Sequence, residues 1–391
     1  MRAADVAAAA GVSATAVSFV LNGRDAGNIS PATRDRVLRA AQELGYRPNR
    51  VARSLRRDST SSIGLVTDAF ASSPFGGRLL AAATETADAA DHVLLMMDLG
   101  HRTERAAEAV AALEDRRVDA IIYATMGFTQ LDEPPASRAP LVLANCVTRR
   151  PGPPSVSPDD AGGAVAALHH LADLGHRRVA MLCGHYRPGS AQADSGNVSG
   201  PIRRRAFRAA AEEAGIEARH AGRGWSIADG HAAAMEVLDT PPSRRPTALF
   251  AVCDRVAAGA LLAAARLGVS VPEDLSIIGF DDQEALAESL VPPLTTVALP
   301  HALMGQTAVE LALAAARGER PDPSRRVLSC PDEPDRLLRR PDEHPQSPLS
   351  RGEAPGGPPA LGGGAEELRR RHVRHRLFQE RQRLLRPRRG R

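Results

Sequence analysis

Between residues 61 and 330 the chain repeats one unit, a short apolar run followed by an alanine-rich helical stretch. Runs at 62–66 (SIGLV), 92–97 (HVLLMM), 119–124 (DAIIYA) and 140–145 (PLVLAN) read as buried parallel strands, because neither face alternates with polar residues. The pattern resumes at 178–183 (RVAMLC), 247–252 (TALFAV) and 275–280 (LSIIGF), with helices expected near 160–174, 202–215, 229–238 and 255–267. Two successive runs of this kind predict two open α/β subdomains. Ligands of such sheets sit outside the carboxyl ends of the strands, so a cleft between facing subdomains is the expected site.

The segment ahead of this body is built differently. Residues 11–23 read GVSATAVSFVLNG: a glycine turn, Ser13 as N-cap, then a compact helix. Val17, Val20 and Leu21 share one face of it, while Ala14, Thr15, Ser18, Phe19 and Asn22 lie on the rest. Asp5 to Ala10 forms a first helix anchored by Val6. Two short helices joined by a tight turn make a helix-turn-helix, whose second helix can enter the DNA major groove. Ser30, Pro31 and Gly45 punctuate a third helix. A small helical bundle with no DNA role fits these signals too. Downstream, residues 46–55 (YRPNRVARSL) place a helix-breaking Pro48 before Asn49, a cap for a basic helix carrying Arg50, Arg53, Arg56 and Arg57. With Ala52 and Leu55 on one side it suits a minor-groove wedge, or else it is a charged linker.

Charge separates these modules. The chain has 391 residues and no lysine; residues 1–60 carry a net +5, residues 61–330 a net −7 and residues 331–391 a net +6. A basic head on an acidic body suggests that one module meets nucleic acid and the other does not. Cys146, Cys183, Cys253 and Cys330 are widely separated and match no metal spacing, as expected of free thiols in a reducing cytoplasm. No stretch is long enough to span a membrane, and the N-terminus lacks a signal-peptide core.

In order, the helix-turn-helix, SPATRDRVLRAAQELGYRPN, ARSL and the strand SIGLV resemble the LacI/GalR family of bacterial transcription regulators, over residues 2 to 328 or so. The resemblance implies an N-terminal all-α helix-turn-helix domain (1–47), a hinge helix and linker (48–60) and a periplasmic-binding-protein-like core of two open parallel-sheet subdomains (61–330). It also implies three chain crossings in the core, placed near 155, 297 and 320. DNA contacts are expected from Ser13, Ala14, Thr15, Ser18, Phe19 and Asn22, from Asn28, Ser30 and Thr33, and from Asn49, Arg50, Ala52, Arg53 and Leu55 of the hinge. The partners implied are a pseudo-palindromic operator in double-stranded DNA, a second copy of the chain, and a small-molecule effector such as a sugar, with no cofactor or metal.

The same resemblance makes Phe75 of the Ser73-Pro74-Phe75 turn a wall of the effector pocket and Arg203 its cation, the alternative for Arg203 being a solvated helix start. Trp225, the only tryptophan, would stack on the effector or else pack in the core. Asp281 closes GFDD, and Asp160 follows VSP. Asp254 opens a helix after TALFAVC, where it could bind ligand or only cap. Departures from the family include Ala16 where threonine is usual, Phe19 where arginine is common, and Cys253 in place of a polar residue. The Pro/Gly-rich run that begins the 331–391 tail cannot bury a core and is expected to be disordered, with a basic helix at 365–386.

A bilobal α/β chain is also compatible with a sugar-active enzyme or a solute-binding protein. No phosphate-binding GxxxxGK[ST], no helix-opening GxGxxG and no GxSxG elbow is present, and an exported binding protein would not carry the basic head. The reading is therefore a cytoplasmic, homodimeric, ligand-responsive repressor without catalytic activity.

Overall fold

The computed structural model describes residues 2–21, 25, 27–46, 59–70, 73, 76–185, 196–322 and 324–330. Among the described residues three helices make the head. Helix α1 (Ala3–Ala10) ends at Gly11, whose φ of 64° is the left-handed conformation that a Cβ disfavours. The chain turns by 103° into α2 (Ala14–Leu21). Ser13 starts α2 by accepting the Ala16 N–H at 3.1 Å. Helix α3 (Pro31–Glu43) is capped by Ser30, which accepts the Thr33 N–H, and has proline in its first turn. None of the three would persist alone at this length. Val6, Val17, Val20 and Val37 close a shared core with Ala7, Ala10, Ala40 and Ala41, each buried valine contributing about 1.5 kcal/mol.

The first lobe of the core contains β1 (Ser62–Thr67), α4 (Gly76–Ala89), β2 (Val93–Asp98), α5 (Ala106–Glu114), β3 (Ala120–Leu131), β4 (Leu141–Thr148) and β5 (Ser155–Pro158). Its start is tied down by Asp119, which accepts from Ser59 Oγ and Thr60 N–H at 2.8 Å each. The second lobe contains α6 (Asp160–Asp173), β6 (Arg178–Leu182), α7 (Ser199–Glu213), β7 (Glu217–Ala221), α8 (Ile227–Leu238), β8 (Ala248–Ala251), α9 (Asp254–Arg266), β9 (Ser276–Asp281) and β10 (Thr295–Ala298). The chain then returns through α10 (His301–Ala316) and β11 (Arg325–Leu328) to the first lobe. Among the described residues the two sheets run β11-β5-β4-β3-β1-β2 and β10-β9-β8-β6-β7, with every pairing parallel.

Strand β3 shows why the central runs carry no polar alternation. Ala120, Ile122 and Ala124 pack with Leu79 of α4 and Ala308 of α10, while Ile121 and Tyr123 pack with Val110 and Leu113 of α5. Both faces are covered. HVLLMM, expected to be buried, departs from this. β2 pairs only with β1 and lies at the sheet edge, leaving Val93 41% and Met96 44% exposed. In the second lobe Phe207 stacks on Phe250 and Phe280 tilts against it, with successive ring centroids 5.2 and 6.2 Å apart. His176, in the turn entering β6, bonds Thr247 Oγ1 and Ser276 Oγ at 2.9 Å each, so it fastens strand starts together.

The chain passes between lobes from Pro158 to Asp160 and from Ala298 to His301. The crossing expected near 320 is corrected. Helix α10 and strand β11 belong to the same lobe, because β11 pairs with β5 and α10 packs on α4. The third passage follows Leu328, and Cys330 is already buried in the second lobe's core. The lobes touch directly as well. Phe128 N–H donates to Ser199 Oγ at 3.0 Å, Val198 N–H donates to Phe128 O at 2.8 Å, and Arg78 pairs with Asp282 at 2.8 Å.

Candidate functional sites: a recognition helix and an inter-lobe cleft

On α2 the buried valines point into the head and leave the opposite face open. Ser13, Ala14 and Thr15 are exposed, and Ser18 and Phe19 are half-exposed. This face carries few charges and offers a hydroxyl, a methyl-bearing Thr and an aromatic edge, groups suited to base edges and thymine methyls in a major groove. Asn28 and Ser30 are exposed at the entry to α3, and Thr33 lies in its first turn. Ser30 Oγ donates to Thr33 Oγ1 at 2.9 Å, so phosphate contact there would compete with a local bond. Asn22, Asn49, Arg50, Ala52, Arg53 and Leu55, together with the rest of 47–58 and the 331–391 tail, lie outside the described residues.

Between the lobes a cavity of about 160 Å³ is lined from both sides. It brings together four of the expected effector residues: Asp160, Arg203, Trp225 and Asp281. Asp160 is the first residue of α6, just past the first crossing, and Arg203 lies one turn into α7. Arg203 is 3% exposed; its Nε donates to Asp160 Oδ1 at 2.7 Å, and its Nη1 donates to Val252 O at 2.6 Å and Asp281 Oδ1 at 3.1 Å. The guanidinium also sits 3.7 Å over the Phe280 ring. Burial pushes the Asp281 carboxyl up to about 7, against the lowering pull of Arg203 and with Asp160 adding repulsion. Asp281 stands at φ 104° and Asp282 at φ 51°, two successive residues in a region that non-glycine residues avoid. Trp225 is placed by the capping box of α8, where Asp229 accepts the Trp225 and Ser226 N–H groups at 3.2 and 3.1 Å.

Asp254 does not join this group. It is fully buried and accepts from Thr296 Oγ1 at 2.5 Å and Gln283 N–H at 2.6 Å. A carboxylate at a strand end can turn either way, and this one fastens the turn after β9 to β10. The lining of the cavity does not include it. Phe75 lies outside the described residues. Cys253 lines the cavity, its thiol toward Trp225 O at 3.7 Å and its pKa raised by burial, so it acts as a neutral wall.

The first lobe's share of the lining escaped the sequence reading: Met126, Phe128 and Asn145. Strand β3 runs on past residue 124 through a register shift, which brings Phe128 to the cleft. Asp68, at the end of β1, holds that stretch by accepting the Met126 N–H at 2.9 Å. Asn145 had one usable signal, an amide inside the apolar run PLVLAN near its carboxyl end. His301, at the second crossing, completes the wall; burial and the nearby Arg78 and Arg203 lower its pKa to about 4, so it is neutral at physiological pH. Among the described residues no cluster of His, Cys, Asp or Glu could hold a metal, and no single helix is long and apolar enough to cross a membrane.

A helix-turn-helix joined in one chain to a two-lobed, cleft-bearing α/β core is the build of a DNA-binding regulator that senses a small molecule. Comparison with known proteins places it further. Residues 4–49 match the family of bacterial regulatory proteins of the lacI type, and residues 168–333 match a periplasmic binding protein-like domain. The transcriptional regulator DegA of Bacillus subtilis is 35% identical over 88% of this chain and 98% of its own length. The transcriptional repressor CytR of Escherichia coli is 31% identical over 83% of this chain and 93% of its own. Among solved structures, the lac repressor dimer bound to operator and an anti-inducer aligns with a TM-score of 0.67 at 27% identity, covering 84% of this chain and 96% of that one. A complex of the regulator CelR with cellobiose aligns at 0.56 and 29%, covering 84% and 97%. The chain belongs to the LacI family of DNA-binding transcription regulators.

Proposed function

We propose that this regulator is a homodimeric repressor acting in the cytoplasm, whose affinity for a pseudo-palindromic operator is set by a small polar molecule bound in the inter-lobe cleft. Two heads related by two-fold symmetry would read two half-sites. Ala14, Thr15, Ser18 and Phe19 would face base edges, with Ser13, Asn22, Asn28, Ser30, Thr33 and the hinge residues Asn49, Arg50 and Arg53 on the backbone. Leu55 would wedge into the minor groove at the operator centre, and Ala52 would let two hinge helices approach. The cleft's polar groups, with Arg203 held by Asp160, Val252 O and Asp281 and, among the described residues, no nucleophile paired to a base, support binding over catalysis.

The observation that carries the effector reading is Arg203 locked between Asp160 and Asp281 beside Trp225, in a cavity to which both lobes contribute. A ligand there touches groups whose relative position changes if the lobes move, and only such differential contact can shift a conformational equilibrium. The test is a selection from random DNA with the full-length protein. A two-fold symmetric consensus whose recovery changes when sugars such as sucrose or cellobiose are added supports the reading; an asymmetric consensus indifferent to every added metabolite overturns it.

A further inference from the structure

Arg203, Arg204 and Arg205 follow one another on α7 and, at about 100° per residue, point in three directions. Arg203 enters the cleft and Arg205 is exposed. Arg204, half-buried, lines a second cavity of about 730 Å³ that shares no residue with the cleft lining. Its walls come from the carboxyl ends of β6 and β7 and from α7 and α8, and they gather His185, His220 and Arg223 around Arg204. The two histidine rings meet edge to face, 5.7 Å between centroids. Among the described residues neither Arg204 nor Arg223 has a side-chain hydrogen bond or ion pair. Of the two acids on the lining, Asp229 is committed to the α8 cap, accepting the Trp225 and Ser226 N–H groups. The other, Glu236, is exposed about two turns further along α8. The field of the arginines registers on the histidines. Burial is the main cause that holds both rings below the usual histidine range, and Arg204 and Arg223 add to it; Cys183 and Glu236 oppose them at His220. His220 Nε2 donates to Cys183 O at 2.8 Å, which leaves Nδ1 to take up a proton.

We propose that this cavity is a second ligand site, outside the cleft, that takes a small organic phosphate between Arg204, Arg223 and the two histidines. Two guanidinium groups give charge-assisted hydrogen bonds to a phosphate, and the histidines can each add a proton once the anion is present. Glu236 is left to accept a hydroxyl from the body of the ligand, and the volume suits a molecule of metabolite size. The site is independent of what fills the cleft, yet it shares a backbone clasp with it. Gly224 N–H donates to His185 O at 2.5 Å, and Gly184 N–H donates to Gly224 O at 3.3 Å. Trp225, the next residue, is a wall of the cleft. A phosphate that draws on His185 and Arg223 therefore pulls on the segment that sets Trp225.

The experiment titrates the full-length protein by calorimetry and by emission of Trp225, its only tryptophan. The probes are ribose 5-phosphate, glycerol phosphate and adenosine monophosphate, each beside its dephosphorylated counterpart, with inorganic phosphate as a separate arm. The expected result is binding by at least one ester and not by its counterpart, with a change in Trp225 emission. Its affinity should fall about tenfold in Arg204→Gln and in Arg223→Gln, and stay at the parent's value in Arg205→Gln. Circular dichroism checks the fold of each variant, and the exposed Arg223 gives a case in which folding is not at stake. Equal binding of ester and counterpart, no bound ester, or unchanged affinity in both arginine variants overturns the proposal. An equal loss in Arg205→Gln overturns it too, by marking a basic surface instead of a pocket. Inorganic phosphate that binds as tightly as every ester overturns the organic class of ligand. Binding with Trp225 emission unmoved overturns the link to the cleft wall.

Discussion

Asp281 and Asp282 are neighbours in the chain, yet their carboxylates serve different lobes. Asp281 Oδ1 accepts from Arg203 at 3.1 Å inside the cavity, and Asp282 Oδ2 accepts from Arg78 of the first lobe at 2.8 Å. Both residues have positive φ, so the backbone between the two contacts has little freedom to absorb a shift. A ligand that moves Asp281 therefore acts within one residue of an ion pair that joins the lobes.

Arg78→Ala tests that link. Arg78 is about a third exposed, so the pair is partly screened and its loss should leave the fold intact. The expected change is a roughly fivefold shift in effector affinity, about 1 kcal/mol of coupling. Calorimetry reads it, and an unchanged affinity would mean that the lobes are positioned by other contacts.

Arg203 is a poor site for truncation. Replacing it by Met leaves Asp160 and Asp281 buried without their cation and should destabilise the protein by about 3–5 kcal/mol. Chemical denaturation measures this. A loss under 1 kcal/mol, or about that, would show the carboxylates to be protonated or solvated once the arginine is gone.

The cleft should respond to pH. The Asp281 carboxyl is held up to about 7 by burial, above its ordinary value of 3.8. The folded protein therefore keeps a proton that the unfolded chain has already lost, and stability from this group falls as pH rises from about 4 to about 7. Ligand affinity should move the other way between pH 6 and 8, or nearly so, because hydroxyl donors favour the ionised carboxylate. His301, titrating at about 4, stays neutral across that window and contributes no slope. Titrations across that range should lose the pH dependence in Asp281→Asn; a slope that persists would assign it to another group.

On α2, replacing Thr15 or Phe19 should change base preference by roughly 1–3 kcal/mol at one or two operator positions. Val17→Ala, by contrast, opens the head's core and should weaken binding to all sequences alike. Binding selections on the three variants separate these outcomes, and identical consensus sequences for Thr15 and Phe19 variants would remove both from the reading surface.

How much of this was legible depends on where each residue's partners lie. The central strands were readable because burial on both faces makes a run apolar throughout. β7, reading EARHA, was not, since an edge strand held by backbone bonds to β6 needs no apolar side chains. Helix α10 buries Met304, Leu311 and Ala312 yet leaves Leu303 46% exposed, so its apolar residues mark no single face. Arg203, Trp225, Asp160 and Asp281 stand out as candidates from strand ends and family resemblance. Their mutual pairing does not, and Asn145 and Phe128 gain meaning only once the lobes face each other. Asp254 shows the limit most clearly: its partner Thr296 is 42 positions away, and nothing local distinguishes a fastening carboxylate from a ligand-binding one.

The central claim is that a ligand held by Arg203, Asp281 and Trp225 controls operator binding. The most direct measurement is an operator titration of the parent protein and of Asp281→Asn, each with and without an uncharged sugar that binds the parent. The account predicts that both bind operator without ligand and that only the parent changes affinity when the sugar is added. An Asp281→Asn protein that responds at the same sugar concentration, and by the same factor, would contradict it.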